Sequence, residues 1–344
     1  MGIADIPTNL GPSFLIRTFI PGFIASLLFY ITFSILSNCV EKASPDASEL
    51  ITLFLNVIQP LFEETTIVSL AILGILLGMM LSELDVQIYQ FFGELRFWPD
   101  FIRNWRFKKV LDDFDEIDRG LHEIKMRKKE IHQLGESSCD DEAIRELLER
   151  ESELSAKARE FPYNPSGGSY CKRYPEAATR FGNIIAEYEQ YSETQYGMHM
   201  MVFWQHLSLI LPSEIKEELD LRGAKADFLV YLSFISLCYA FVGSAAFAGS
   251  AALFHCYEID NERLFFIGAI ICFVASLLLS YIFYSASIYS IKNYGRYVKA
   301  VFDLYRFDLA SKMQMTITEK HLIAGDDEVQ SWRKLRKYLL DYKK

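Results

Sequence analysis

The sequence predicts an all-α membrane protein: a bundle of four transmembrane helices with a helical cytosolic insert, an antiparallel hairpin, between the second and third spans. Three observations carry this. Residues 18–40, 65–82, 228–257 and 264–291 contain no Asp, Glu, Lys or Arg and run 23, 18, 30 and 28 residues. About 20 apolar residues suffice for a helix to cross the hydrocarbon core. Of the 35 Lys and Arg, all but Lys42 and Arg263 fall on one side of a four-span topology. The segment between the second and third runs repeats its apolar residues at helical, heptad-type spacing.

The first membrane half covers residues 1–82, with spans at about 18–40 and 65–82. The first run is preceded by the single Arg17 and followed by Ser37-Asn38-Cys39-Val40, which lacks a small-x-small cleavage site. It reads as a retained span rather than a signal peptide. Between the spans, residues 49–62 suit an outer interfacial or re-entrant helix, ended by Pro60 and by Glu63 and Glu64.

The positive-inside rule places both termini and residues 83–227 in the cytoplasm, the membrane being the cell inner (plasma) membrane. The flanks agree: Arg96, Arg103, Arg106, Lys108 and Lys109 follow the second span, and Lys292, Arg296 and Lys299 follow the fourth.

Residues 83–227 form the cytosolic helical domain. Just inside the second span, Phe91, Phe92, Phe97, Trp98, Phe101, Trp105 and Phe107 interleave with arginines, the pattern of side chains at headgroup depth. Within residues 107–160, Val110, Phe114, Ile117, Leu121, Ile124, Ile131 and Leu134 make one seam, with Lys128 in the missing slot. Gly135 stops that helix. A second helix presents Ile144, Leu147, Leu148, Leu154 and Ala158, so the two form a hairpin. It is either a packed projection or a docking surface for a cytosolic protein partner. Residues 161–178 are a Pro- and Gly-rich linker, and 179–211 a membrane-proximal helix with Trp204 as a third interface anchor beside Trp98 and Trp105. The second membrane half, 228–291, holds spans at about 228–254 and 264–290. A cytosolic helical tail covers 292–344.

Composition narrows the function. The net charge is −10, and residues 83–227 hold 29 acidic against 20 basic residues, which argues against nucleic-acid binding. The tail is locally basic, with 12 basic against 7 acidic residues, and suits a lipid bilayer with anionic headgroups. The six cysteines contain no CxxC; Cys39 and Cys256 both fall on the outer side, where a bridge is sterically allowed. No catalytic residue set, cofactor motif or metal-ligand spacing is present, and the predicted protein is not an enzyme.

No charged residue lies well inside a span, which argues against ion-coupled transport. Small residues do recur at helical spacing: Gly74 and Gly78; Ser244, Ala248 and Ala252; Gly268, Cys272, Ser276 and Ser280. Such stripes let helices approach closely, either within one bundle or between the protomers of a homo-oligomer.

Several short motifs accompany these elements: Phe19-Ile-Pro-Gly-Phe23, Thr179-Arg-Phe-Gly-Asn183, Phe203-Trp-Gln-His-Leu207, Tyr294-Gly-Arg-Tyr-Val298, Val301-Phe-Asp-Leu-Tyr-Arg-Phe-Asp-Leu309 and Ser331-Trp332. In order and spacing the chain resembles a family of functionally uncharacterised bacterial four-span integral membrane proteins. The hairpin lies outside the matching motifs, and the family tends to have Trp-Pro-Arg-Leu where this chain has Trp204-Gln-His-Leu207. The resemblance implies the architecture and no activity. Read physically, Asp303, Arg306 and Asp308 punctuate the helix after the fourth span, where Asp303 with Arg306, and Arg306 with nearby carboxylates, can pair at three- and four-residue spacing. The expected arrangement packs 179–211 against 294–313, with Arg180 or Arg306 in a buried ionic contact.

Two functional classes remain. One is an oligomeric membrane-anchored sensor or effector whose cytosolic domain controls the packing or permeability of the spans, by analogy with bacterial stress and phage (antiviral) defence systems. The other is a non-catalytic scaffold recruiting partners to the inner leaflet. A lipid-acting membrane enzyme comes third.

Overall fold

The computed structural model describes residues 12–41, 64–134, 141–162, 174–256, 262–314 and 326–341, and among them it is all-helical, with no strand. The expected 49–62 helix lies outside the described residues, as do the side chains of Cys39, Ala252 and Cys256 and most of the 161–178 linker.

A short helix Pro12–Phe14 and a π-helical turn Leu15–Phe19 lead into α1 (Ile20–Glu41). There follow α2 (Glu64–Glu83), α3 (Asp85–Gly93), α4 (Asp100–Leu134) and α5 (Asp141–Ala158). Then come α6 (Arg180–Tyr196), α7 (Met200–Ile210), α8 (Ser213–Cys256), α9 (Glu262–Lys312) and α10 (Asp326–Asp341). Four helical stretches are long and apolar enough to cross a membrane: Pro12–Thr32, Thr65–Glu83, Ser213–Gly249 and Phe266–Lys312. Helices α8 and α9 run without interruption through positions 227/228 and 291/292, where the sequence places domain boundaries.

The chain divides into two compact units. The first comprises the described residues of Met1–Ile88 and Asp220–Ser290; the second comprises those of Tyr89–Leu219 and Ile291–Lys344.

In the first unit the backbones of the first two spans touch. A Cβ on Gly22 would lie 1.9 Å from the Gly74 carbonyl oxygen, and one on Gly78 would lie 2.0 Å from that of Thr18. Gly74 likewise backs onto Phe23, whose Cα would stand 2.9 Å from an added Cβ. Gly74 and Gly78 are therefore spent on contact within the chain, against the Phe19–Phe23 motif. Ser26 adds a hydrogen bond to the Leu70 carbonyl, 3.2 Å.

Between α8 and α9 the seam differs from the expected stripe. Ser233, Ser236 and Ala240 are buried on α8, and Ala269, Ser276, Ser280 and Ser287 on α9. The Ser233 hydroxyl donates to the Ser280 carbonyl and the Ser280 hydroxyl to the Ser233 carbonyl, both at 2.9 Å. The close approach on α8 is Gly243, where a Cβ would meet the Cys272 sulfur at 3.1 Å. Ser244 and Ala248 sit to one side of that seam, half-buried, and Ser244 returns its hydroxyl to the Ala240 carbonyl of its own helix. Ser244 and Ala248 thus lie about one residue, or 100°, round the helix from the Gly243 contact. Gly268 is half-buried near Phe247.

In the second unit α4 and α5 pack as a hairpin. Val110, Phe114 and Ile124 are buried, and Lys128 fills its seam slot by pairing with Glu151 of α5. Leu148, expected on the inner face, is 48% exposed, because the α5 seam runs Ile144, Leu147, Glu151, Leu154 and Leu148 falls beside it.

The TRFGN motif resolves into a helix start. Thr179 is extended, accepts from the Gly182 N–H at 3.0 Å, and donates its own hydroxyl to the Gly93 carbonyl at 2.8 Å. Phe181 is buried, and a Cβ on Gly182 would stand 2.6 Å from the Gly93 oxygen. Asn183 accepts from the Glu176 and Ala177 N–H groups and donates to the Ala177 and Thr179 carbonyls, locking the incoming chain. At the other end Gly197 adopts φ 75°, and a side chain there would also strike the Val329 carbonyl of α10. Phe203 packs edge-to-face on Trp332, and Trp204 lies on Phe302.

Candidate functional site

The strongest site lies in the second unit, where α6, α9 and the end of α5 meet. Along α9, Ile291, Val298, Phe302 and Leu309 are buried and face the unit's core. Gly295 belongs to the same stripe because a Cβ there would come within 2.7 Å of the Tyr188 ring. The small residue lets the phenol lie on the helix backbone, and the space beside it is a cavity of about 300 Å³.

The lining carries more positive than negative charge: Arg159, Lys292, Arg296 and Lys299 against Glu160 and Glu187. Both carboxylates are buried and held. Glu160 accepts from Arg180 Nε and Nη2 at 2.5 and 2.6 Å and from Lys292 at 2.8 Å, so one carboxylate joins the turn after α5 to α6 and α9. Burial opposes its ionisation, but the hydrogen bonds and charges of Arg180 and Lys292 outweigh that and hold it below the usual carboxylate range. Glu187 of α6 pairs with Lys299 of α9, whose ammonium also stands 5.3 Å from the Tyr191 ring centre.

One turn further along α9, Asp303 accepts from Tyr191 at 2.9 Å and from Tyr196 at 2.6 Å. Burial, with the Asp303 hydrogen bond adding to it, pushes the Tyr191 phenol up to about 12; burial and the same acceptor drive Tyr196 higher still. Arg306 follows on the buried stripe. It pairs with Glu328 of α10 at 3.0 Å, donates to the Asp303 carbonyl oxygen, and lies 4.3 Å from the Tyr196 ring centre.

The expected Asp303–Arg306 side-chain pair is therefore corrected. The Asp303 carboxylate is taken by two tyrosines, and Arg306 turns inward to a carboxylate from a different helix. Asp308 is exposed and makes no ion pair with a described residue. Arg180 is ion-paired, though 59% of its own side chain is exposed; the buried member of that pair is Glu160.

A second polar cluster closes one end of the first unit. Arg17, on the π-helical turn, pairs with Asp227 of α8 at 2.8 Å and with Asp85 of α3 at 3.2 Å. Asp85 also accepts from the Tyr231 hydroxyl at 3.1 Å. In the sequence Arg17 reads only as the single basic residue before the first span. A separate apolar cavity of about 430 Å³ opens among Phe29, Leu81, Phe234, Cys238 and Tyr239. Among the described residues no group of three or more His, Cys, Asp or Glu is arranged to hold a metal ion.

Of the expected interface anchors, Trp105 is 61% exposed on α4, beside exposed Phe97 and Phe101. Trp98 is half-buried against Phe91, and Trp204 packs on Phe302 inside the second unit. Exposed Met201 and Leu209 mark the outer face of α7.

Glu160, Glu187 and Glu328 were not singled out by sequence reasoning, and Lys292, Arg296 and Lys299 entered only as positive flank charges. The available signal was their spacing of four and three around Gly295, which puts three cations on one helix face. Comparison of the chain with protein-family models, with curated proteins and with solved structures finds no match.

Proposed function

We propose that the protein is an oligomeric sensor and effector of the bacterial inner membrane, a four-helix bundle with a cytoplasmic helical insert and tail. Events at the helical unit alter the packing or permeability of the spans. One observation carries this reading: α9 is a single helix of 51 residues, from the apolar Phe266 region to the polar cavity at Lys292–Lys299. At 1.5 Å per residue it extends about 75 Å, against a hydrocarbon core of about 30 Å. A turn of that helix at the cavity is a turn of the span. The resemblance to bacterial four-span proteins supports the same architecture, and a role in stress or phage defence is its analogy.

Reconstitution into dye-loaded vesicles, with the solubilised mass measured in parallel, tests the reading. An oligomer that releases dye supports it. A monomer that leaves vesicles intact sinks it and favours the scaffold role, for which the exposed, charge-rich faces of α4 and α5 offer a docking surface. Reporter fusions at both termini test the cytoplasmic placement.

A further inference from the structure

We propose that the cavity between α6 and α9 is a binding site for a phosphate-bearing ligand, held by Arg159, Lys292, Arg296 and Lys299. Four cations line a space that offers two carboxylates, so the lining is net positive. The carboxylates serve the walls: Glu160 ties Lys292 to Arg180, which is outside the lining, and Glu187 ties down Lys299. Lys292, Arg296 and Lys299 project from one face of α9, and Arg159 comes from the end of α5 on another side. Donors thus converge from two elements, the arrangement that a tetrahedral anion with several acceptor oxygens uses fully.

Arginine forks match phosphate oxygens in pairs, and lysines add point charge. Both lysines are half-buried, where charge acts through a lower dielectric than at the surface. Both arginines are exposed, within reach of an arriving ligand. The volume of about 300 Å³ is at the lower end for small-molecule sites and suits a phosphoryl group with a modest organic portion against Ile184 and Tyr188. The same chemistry is available from a soluble phosphate compound or from a phospholipid headgroup.

The proposal deepens the sensor reading and rests on it only for its consequence; binding is measured separately from permeability. Full-length protein in phosphatidylcholine nanodiscs is titrated with inorganic pyrophosphate, against sodium chloride of equal ionic strength, following thermal unfolding and calorimetric binding. Pyrophosphate is expected to raise the unfolding temperature, and Arg296→Glu to weaken its binding at least tenfold while leaving the ligand-free unfolding temperature unchanged. Arg296→Lys is expected to retain most of the affinity. Repetition in phosphatidylglycerol nanodiscs separates the sources. Weaker pyrophosphate binding there, with the protein already stabilised, identifies a headgroup occupant; equal binding identifies a soluble one. Absence of stabilisation by pyrophosphate and by phosphatidylglycerol alike overturns the site, as does undiminished affinity in Arg296→Glu. Binding without dye release leaves the site standing and removes the effector role.

Discussion

Arg306 and Glu328, 22 positions apart, meet at 3.0 Å with side chains only 1% and 3% exposed. Burying two charges gains little over a well-packed apolar pair, yet removing one partner strands the other. Arg306→Met should therefore destabilise the protein by about 3–5 kcal/mol. The double change Arg306→Met with Glu328→Leu should recover most of that loss. Thermal unfolding of the detergent-solubilised full chain checks both, and equal losses in single and double variants would contradict the pairing.

The Glu160 cluster gives a pH dependence. Its folded-state pKa is depressed, so its contribution is complete above the ordinary carboxylate range and is lost as pH falls through the folded value. Glu160→Gln should flatten the acid limb of a stability profile below about pH 4 while lowering stability at neutral pH. An acid limb of unchanged steepness would place the titrating group elsewhere.

Tyr191 and Tyr196 predict an alkaline counterpart. Burial and Asp303 favour the protonated phenols, so their contribution is full below the ordinary tyrosine pKa near roughly 10 and fades as pH rises towards the folded values. In an ultraviolet titration Tyr191 and Tyr196 should be among the phenols that remain un-ionised at about pH 11, after the exposed ones have ionised, and replacing each by Phe should remove one of that group. Asp303→Asn should shift both downwards.

Gly22 should tolerate nothing larger. Gly22→Ala puts a carbon into the Gly74 carbonyl, whereas Gly249→Ala meets nothing within 4 Å. The first should cost about 1–3 kcal/mol or more through forced separation of α1 and α2. The second should be neutral, or stabilising by up to about 1 kcal/mol from helix propensity. Folded yield and unfolding temperature compare them directly.

Arg17 stands between two carboxylates, and Arg17→Gln leaves Asp85 and Asp227 facing each other near Tyr231. A loss on the order of 1–3 kcal/mol is expected, partly restored by adding Asp227→Asn. A double variant no more stable than the single would show that the two charges do not interact through Arg17.

The helices themselves were legible because their causes are local. Uncharged runs, the α4 seam and the Gly135 stop depend on residues a few positions apart. The TRFGN motif was visible as a pattern, but its meaning needed Gly93, 86 positions from Thr179. Arg306 drew attention through its apolar neighbours, yet its true partner lies on another helix. On α8 the close approach falls at Gly243, beside Ser244, because angular position on a helix depends on its neighbour, here Cys272. The cavity depends on Gly295 admitting Tyr188, a fact of tertiary packing that no spacing along the chain encodes.

The first unit is assembled from both ends of an interrupted chain, and that constrains the order of its biosynthesis. The first two spans leave the ribosome well before Asp220 exists, so they must persist in the bilayer without α8 and α9. The Gly22–Gly74–Gly78 crossing is a contact that they make with each other and that involves neither α8 nor α9. Arg17 has Asp85 as an early partner and acquires Asp227 only when α8 arrives. The salt bridge to Asp227 is thus available only to a chain whose second membrane half has met its first.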